Sequence, residues 1–285
     1  MKTGLVLEGG GLRGMYTVGV LDLLLEENLM PDYCIGVSAG ACNGASYVAR
    51  QQGRNKRINM EYIDDPRYIS LRNMVKQHSL FGMDFLFEEM ADTILPFDYD
   101  AFFANPCEFV VVVSDTFTGR PAYFNKSHIK KGDMRVLKAS ASLPGFSPSV
   151  EYQGRHYLDG GTTDSIPYRH ALEDGCDRVI VILTQDREYK KGPSSMRPIY
   201  HTMLRNTPQM IRALDRRHEM YNRQRKELWT LEQEGKALLV VPSHPLDVSR
   251  FERDKERLEA LYELGQEDAR KKLDQIRAWI GQPQT

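Results

Sequence analysis

The chain has 285 residues, and its 38 Lys plus Arg nearly balance its 39 Asp plus Glu. Proteins that hold nucleic acid through its phosphates usually carry a clear basic excess, so this balance argues against nucleic acid as a partner. With 41% hydrophobic and 9% aromatic residues, the chain can build a core and is not expected to be disordered. Its longest aliphatic runs, 110–113 and 179–183, are far shorter than the roughly 20 residues that span a bilayer.

The N-terminus and the cysteines favour a cytoplasmic protein. Residues 4–8 form a short predicted strand that meets glycines before any signal-peptide core can form, so export by a cleaved signal is not expected. The four cysteines lack the short paired spacings of zinc or redox motifs, and we expect them to be buried, reduced thiols. The seven histidines are scattered as well. We therefore predict neither a metal site nor a cofactor.

The first half of the chain alternates predicted strands and helices. Residues 4–8 and 33–37 are predicted strands, and helices are predicted at 15–28 and 39–50. This order predicts parallel strand pairing and an α/β architecture. Further predicted strands cover 107–114, 122–125, 149–152, 155–158 and 178–183, with a helix at 166–173.

The composition changes after Gln185. Residues 187–226 carry 11 Lys plus Arg against 3 Asp plus Glu, largely on a helix predicted at 208–234. A strand at 237–241 and one charged helix at 253–280 complete the chain. The basic stretch is interpreted either as a solvated helical face or as a surface for transient peripheral contact with an anionic membrane.

No linker or composition break marks a domain boundary, so one domain is predicted for residues 1–285. Its fold class is α/β, with a central, mostly parallel sheet flanked by helices. A motif-bearing core at about 4–185 is followed by a helical C-terminal extension at about 186–285.

A glycine-rich loop joins the first predicted strand to the first predicted helix. It reads Gly9-Gly10-Gly11-Leu12-Arg13-Gly14. Consecutive backbone N–H groups in such a loop can converge on an anion at the helix N-terminus. The loop also fits the G-x-G-x-x-G pattern of dinucleotide-binding folds, but the acidic residue expected about 20 positions later is absent, and Val37 and Ser38 stand there.

A second glycine-containing motif follows the second predicted strand. It reads Gly36-Val37-Ser38-Ala39-Gly40. This G-x-S-x-G pattern at a strand-to-helix junction is typical of a nucleophile elbow, in which the glycines permit a strained turn that exposes the serine hydroxyl. An ordinary α/β-hydrolase places several strands before its elbow, and this chain does not. Because adjacent parallel strands end at the same sheet edge, we expect the two glycine motifs to meet there.

A third motif, Asp159-Gly160-Gly161, ends the strand predicted at 155–158. Upstream lies a block of small residues that suits close packing against another backbone. It reads Ala139-Ser140-Ala141-Ser142-Leu143-Pro144.

Taken together and in this order, the motifs resemble those of the patatin-like phospholipases, lipid acyl hydrolases that use a Ser-Asp dyad. The resemblance covers about residues 4–185 and is specific only as a set. It implies that Ser38 is the nucleophile, that Asp159 is its base, and that the glycine-rich loop with Arg13 forms the oxyanion hole. The implied activity is cleavage of carboxylic ester bonds in phospholipids through an acyl-enzyme, of the phospholipase A or lysophospholipase type.

Several alternatives remain open at this stage. The same dyad suits a short-chain esterase or thioesterase, the glycine loop suits a Rossmann-type dinucleotide-binding protein, and the fold can bind lipid without turnover. Ser38 can be a helix cap and Asp159 a turn residue. The Met- and Phe-rich segment 81–87 is either a lipid-facing lid or ordinary core.

Overall fold

The computed structural model describes residues 1–281, and within them an eight-stranded mixed sheet forms the centre of the protein. The strands are β1 (Thr3–Leu7), β2 (Tyr33–Val37), β3 (Glu108–Asp115), β4 (Arg120–Asn125), β5 (Val150–Tyr152), β6 (Arg155–Asp159), β7 (Arg178–Ile182) and β8 (Ala237–Val240). Their order across the sheet is β5-β6-β3-β2-β1-β7-β8, and β4 also pairs with β3.

Helices flank this sheet. They are α1 (Met15–Glu26), α2 (Ala39–Val48), α3 (Arg54–Glu61), α4 (Leu71–Gln77), α5 (Tyr99–Ala104), α6 (Arg135–Ser140), α7 (Tyr168–Glu173), α8 (Arg197–Met203), α9 (Pro208–Gln233), α10 (Lys255–Lys271) and α11 (Leu273–Ile280). A π-helical segment covers Phe85–Ile94, and short 3₁₀ turns cover Gly11–Gly14, Lys126–His128 and Gly160–Thr162.

The predicted α/β architecture is confirmed. β1 pairs in parallel with both β2 and β7, and β2 pairs in parallel with β3. The strands β4 and β6 join β3 antiparallel, and β5 and β6 form the predicted hairpin. In β1 and β2, Leu7 lies opposite Gly36. The glycine loop and the G-x-S-x-G turn therefore leave the sheet side by side, as expected for adjacent parallel strands.

Side chains alternate between the two faces of the sheet. Leu5 and Leu7 of β1 pack with α1, α2 and α10 in one core, while Val6 packs in a second core that includes Tyr221 of α9. This alternation explains the continuous apolar strands of the sequence, because both faces are covered by helices.

The C-terminal region is attached directly to this core. β8 adds a parallel strand next to β7. Helices α10 and α1 pack closely, and each contributes a glycine to the contact. A Cβ on Gly19 of α1 would lie 2.0 Å from the Tyr262 carbonyl oxygen. A Cβ on Gly265 of α10 would lie 2.1 Å from the Tyr16 carbonyl oxygen. The prediction of a single domain nevertheless stays a prediction.

The single helix predicted for 253–280 was wrong. Two helices, α10 and α11, meet at Lys272, whose φ of −111° and ψ of 5° interrupt the helix. The bend places the end of α11 against the start of the sheet. There the Trp279 carbonyl accepts hydrogen bonds from the Thr3 hydroxyl and from Arg178, both 2.7 Å long.

No helix within residues 1–281 is long and apolar enough to cross a membrane. In the same part of the chain, no group of three or more His, Cys, Asp or Glu residues is arranged to hold a metal ion. The cysteines are unpaired: Cys34, Cys107 and Cys176 are buried, and Cys42 is half-buried. Burial raises the pKa of the Cys42 thiol to about 12, so this thiol is protonated at neutral pH.

Candidate active site

Ser38 occupies a strained turn between β2 and α2. Its φ of 56° and ψ of −127° lie in a region that residues other than glycine rarely adopt. The turn also brings two backbones very close together, because a Cβ on Gly40 would lie 2.5 Å from the Leu7 carbonyl oxygen. This is the geometry of a nucleophile elbow, and Ser38 is 8% exposed within it.

The glycine-rich loop lies directly against this turn. A Cβ on Gly9 would be 2.9 Å from both the Ser38 Cβ and the Val37 carbonyl oxygen. Gly9 and Gly10 line the same cavity as Ser38. Among residues 1–281, their backbone N–H groups donate to no protein acceptor, which leaves these donors available to a ligand.

The small-residue block ties the Ser38 turn to the strand that carries Asp159. The Ser38 backbone N–H donates to the Ser140 hydroxyl at 2.8 Å, and that hydroxyl donates to the Val112 carbonyl at 2.6 Å. Two residues later, the Ser142 carbonyl accepts from the Asp159 backbone N–H at 2.8 Å. Ser140 and Ser142 thereby fix the relative positions of Ser38 and Asp159.

Asp159 is buried at the end of β6, with 2% of its surface exposed. Its Oδ1 accepts from the Gly161 backbone N–H at 2.7 Å, and its carbonyl accepts from the Ser114 hydroxyl at 2.8 Å. Its Oδ2 has no hydrogen-bond donor in the described part of the chain. The carboxylate and the Ser38 hydroxyl line one cavity without a direct hydrogen bond between them.

Four cations surround this cavity, which we call the cationic cavity. It is small, about 20 Å³. Its charged residues are Glu8, Arg13, Asp159, Lys191, Arg217 and Arg250. Arg217 Nε donates to the Gly161 carbonyl at 2.6 Å, directly behind Asp159. Burial and the neighbouring Arg217 lower the pKa of the Lys191 ammonium to about 7.

Glu8 is the buried acid at the start of the glycine loop. Its Oε1 accepts from the Tyr221 hydroxyl at 2.8 Å and its Oε2 from the Thr184 backbone N–H at 2.7 Å. Tyr221 lies on α9, so Glu8 links the loop to the C-terminal region.

A second cavity of about 150 Å³, which we call the apolar cavity, adjoins Ser38 on the other side. Its apolar lining includes Leu12, Ile58, Tyr68, Phe81, Met83, Leu86, Phe87, Phe97 and Leu143. Arg54 also lines it, but donates to the Leu95 carbonyl at 3.0 and 2.8 Å. Gly11, Ser38 and Leu143 line both cavities, so Ser38 stands where an apolar space meets a cationic one.

The Met- and Phe-rich segment 81–87 contributes to this apolar lining. Phe81 and Met83 are buried, whereas Leu86 and Phe87 are half-buried on the π-helical segment. The segment therefore forms part of the wall of a cavity beside Ser38. Whether it moves as a lid stays a prediction.

The structure brings the predicted site residues together, and it adds others. Ser38, Asp159 and most of the glycine loop line one cavity, and their catalytic roles stay predictions. The individual roles of Ser140 and Ser142 were missed, although their block was recognised. Lys191, Arg217 and Arg250 were missed because none of them belongs to a recognisable motif.

The interpretation of the basic stretch 187–226 as a solvated face agrees with eight of its eleven Lys and Arg residues and is corrected at the other three. Lys191 and Arg217 point into the cationic cavity. Arg225 is 3% exposed and donates to the carbonyls of Asp186 and Arg187. Eight basic residues of the stretch are exposed: Arg187, Lys190, Arg197, Arg205, Arg212, Arg216, Arg223 and Lys226.

Comparison with known proteins agrees with the motifs. The family described as patatin-like phospholipase matches residues 5–172, and a domain of unknown function (DUF6363) matches residues 207–281. The uncharacterized protein YjjU of Escherichia coli (strain K12) is 32% identical over 188 residues, which cover 64% of this chain and 52% of that protein. Lysophospholipase nte1 of Aspergillus terreus is 28% identical over 189 residues, which are 64% of this chain but 12% of that enzyme.

Among solved structures, VipD from Legionella pneumophila aligns with 96% of this chain and 67% of its own, at a TM-score of 0.45 and 11% identity. The chain spans about half the length of YjjU and about an eighth of the length of nte1. Because the patatin-like match covers more than half of the chain and includes both Ser38 and Asp159, the protein belongs to the patatin-like phospholipase family.

Proposed function

We propose that the protein is a serine acyl hydrolase that cleaves carboxylic ester bonds of lipids, of the phospholipase A or lysophospholipase type. The observation that carries this proposal is the position of Ser38, in a strained elbow between an apolar cavity and a cavity that also holds Asp159. Family membership and the lysophospholipase names among the relatives support it. A Rossmann-type dinucleotide site is not favoured. Such a site needs a ribose-binding acid at the end of the second strand, and Ser38 with its elbow occupies that position.

In the first step, Ser38 Oγ attacks the ester carbonyl carbon while its proton passes to Asp159 Oδ2. The C–O bond to the alcohol then breaks, and the leaving alkoxide takes the proton from Asp159. The products are a free alcohol and an acyl ester on Ser38. A serine needs such a proton acceptor because its free alkoxide is negligible at neutral pH.

In the second step, water attacks the acyl carbon and gives a proton to Asp159. The tetrahedral intermediate collapses, Ser38 Oγ leaves, and the proton returns to it, which releases the fatty acid. The missing hydrogen bond between Ser38 and Asp159 does not oppose these roles, because catalytic hydrogen bonds often tighten only when substrate binds.

A carboxylate is a weak base, so the transition state needs further stabilisation. In this proposal, the N–H groups of Gly9 and Gly10, which have no acceptor within residues 1–281 and line the cavity beside Ser38, donate to the oxyanion. Gly11 to Gly14 continue this loop as a 3₁₀ turn that carries Arg13, and Leu12 contributes to the apolar wall. We assign the oxyanion hole to this loop.

The test is lipid ester hydrolysis by Ser38→Ala and Asp159→Asn. Both variants are expected to lose activity by about 1,000-fold or more, as when members of a catalytic unit are removed. The matched controls are Ser195→Ala and Asp247→Asn, which are exposed and outside both cavities. Activity near the wild-type level in either active-site variant would show that the assignment is wrong.

The chain length of the acyl group separates a lipase from a short-chain esterase or thioesterase. The apolar cavity favours longer acyl chains, because each buried methylene contributes about 0.8 kcal/mol. We expect kcat/KM for p-nitrophenyl esters to rise from acetate towards longer acyl groups. A maximum at acetate, or a strong preference for thioesters, would favour the alternatives.

We also propose transient contact with an anionic membrane. Leu71 and Val75 on α4, and Ile199 and Met203 on α8, are exposed apolar pairs one helical turn apart. Exposed cations of the basic stretch add attraction of about 1 kcal/mol each near an anionic surface. Co-sedimentation with anionic vesicles is expected at low salt and should weaken at high salt. Equal partitioning with neutral vesicles would contradict the electrostatic part.

A further inference from the structure

Three cations beside Ser38 have no part in the proposed hydrolysis. Lys191, Arg217 and Arg250 line the cationic cavity together with Arg13 of the glycine loop. Arg217 lies on α9, and Arg250 precedes α10. The Arg250 carbonyl also accepts from the Leu12 backbone N–H at 3.1 Å, which fixes this segment against the glycine loop.

The cavity has more positive than negative charge. Four cations face only two carboxylates, Glu8 and Asp159. Both Glu8 oxygens accept hydrogen bonds from Tyr221 and Thr184. Across residues 1–281, none of the four cations forms a salt bridge within 4.0 Å. An anion is therefore the ligand that the charge of the cavity favours.

Two other arginines, the half-buried Arg54 and the buried Arg225, donate to backbone carbonyls of the protein. Arg54 donates to the Leu95 carbonyl, and Arg225 donates to backbone carbonyls of 185–187. In contrast, the Arg250 guanidinium and the Lys191 ammonium donate to no acceptor of the described chain, and Lys191 lies 4.4 Å from the centre of the Tyr221 ring. Charged donors that line a cavity without a protein acceptor are available to hydrogen-bond a ligand there.

The cations also repel one another. Burial and the nearby Arg217 and Arg13 lower the pKa of Arg250 to about 10, and Arg250 and Arg13 add to the lowering of the Lys191 pKa. A bound anion reverses this repulsion. Without a ligand, the cations of the cavity therefore repel one another, and a bound anion would offset this repulsion.

The position of the cavity defines the rest of the ligand. Ser38 separates it from the apolar cavity, so a ligand with its ester at Ser38 reaches the apolar side with its acyl chain and the cationic side with its alcohol portion. The cationic cavity is much smaller than the apolar cavity, about 20 against about 150 Å³, and therefore suits a compact group better than an acyl chain. Guanidinium groups bind phosphate oxygens through paired hydrogen bonds.

We propose that Lys191, Arg217 and Arg250, with Arg13, form a phosphate subsite, and that the preferred substrates are lysophospholipids with a phosphomonoester close to the scissile ester. The inference rests on the proposed function, because it places the ester at Ser38. It gives the region matched by the domain of unknown function, which holds Arg217 and Arg250, a role in substrate selection.

The first test compares two substrates with the same short acyl chain, a lysophosphatidate and the corresponding monoacylglycerol. Wild type is expected to favour the lysophosphatidate in kcat/KM. Arg250→Gln and Lys191→Met should each lower this preference by about tenfold or more, since each removes a charged hydrogen bond. The matched control Arg212→Gln, on the exposed side of α9, should keep it. An unchanged preference in both cavity variants would overturn the subsite, and two variants guard against a folding defect in one.

The second test does not depend on turnover. Calorimetry on Ser38→Ala should show binding of short-chain lysophosphatidate, and this binding should weaken by about tenfold when Arg250→Gln is added. Binding without esterase activity in wild type would refute the proposed hydrolysis and keep the subsite. Hydrolysis without phosphate-dependent binding would refute the subsite and keep the proposed hydrolysis. If inorganic phosphate binds as tightly as the lipid, the subsite serves a free anion and the proposed substrate class is wrong.

Discussion

The two parts of the chain supply the site in different ways. Residues 5–172 contribute backbone: the elbow at Ser38, the N–H groups of the glycine loop and the strand end at Asp159. Residues after 186 contribute single side chains, among them Lys191, Arg217 and Arg250. In the proposed function, the first region carries out the chemistry and the C-terminal region selects the ligand that reaches it.

The largest expected effect concerns the backbone of the first region. In Gly9→Ala, the new Cβ would lie 2.9 Å from Ser38 Cβ and the Val37 carbonyl oxygen. The loop must shift away, and loss of an oxyanion donor typically lowers kcat by about 100- to 1,000-fold. Steady-state kinetics on a lipid ester, with a thermal melt as the folding control, measures this. A kcat near that of wild type would remove the loop from the mechanism.

A smaller loss is expected for Ser140→Ala. The Ser38 backbone N–H and the Val112 carbonyl would both lose their partner, at a cost of about 1–3 kcal/mol of stability for a buried unsatisfied group. Because the hydroxyl positions Ser38, we expect kcat to fall by about tenfold with little change in KM. Ser140→Thr, which keeps the hydroxyl, should restore part of it. Equal losses of kcat in Ser140→Ala and Ser140→Thr would indicate that Ser140 contributes through packing and does not position Ser38.

The contact between the two regions can be weakened where α1 packs against α10. In Gly19→Ala, the new Cβ would lie 2.0 Å from the Tyr262 carbonyl oxygen, and such overpacking costs about 1–3 kcal/mol. Denaturant unfolding should show one transition at a lower midpoint, as the predicted single domain requires. Two separate transitions would show that the C-terminal region is an independent unit.

The smallest expected effect is a pH dependence in the cationic cavity. The pKa of Lys191 is about 7, so its charge is present below that pH and is lost as the pH rises through it. Inhibition by sulfate should therefore weaken by about threefold to tenfold between about pH 6 and 8, while Arg250, whose pKa is about 10, stays charged. Lys191→Met should show a flatter profile. The same slope in both proteins would assign the titration to another group.

The fold was predictable wherever periodicity and turn residues agreed. The parallel strands, the hairpin and α9 followed from local patterns, and so did the meeting of the loops after β1 and β2. The break at Lys272 was not predictable, because the apolar positions of α10 and α11 continue one helical pattern. It reflects the contacts that Trp279 makes with Thr3 and Arg178, far away in sequence.

The same distinction holds for the site. Ser38 and Asp159 could be predicted as site residues because glycines that allow close backbone approach stand beside them in the sequence. Lys191 and Arg250 leave none, since a cation outside any motif looks the same in the sequence whether it points to solvent or into a cavity. Only the packing of α9 and of the segment before α10 against the glycine loop shows their direction.

The most direct test of the account is to label the protein with a fluorophosphonate and locate the adduct by mass spectrometry. We predict one adduct, on Ser38, formed in parallel with the loss of lipid ester hydrolysis and prevented in Ser38→Ala but not in Ser195→Ala. An adduct on another residue, or full hydrolytic activity without any adduct, would contradict the assignment of Ser38 as the nucleophile.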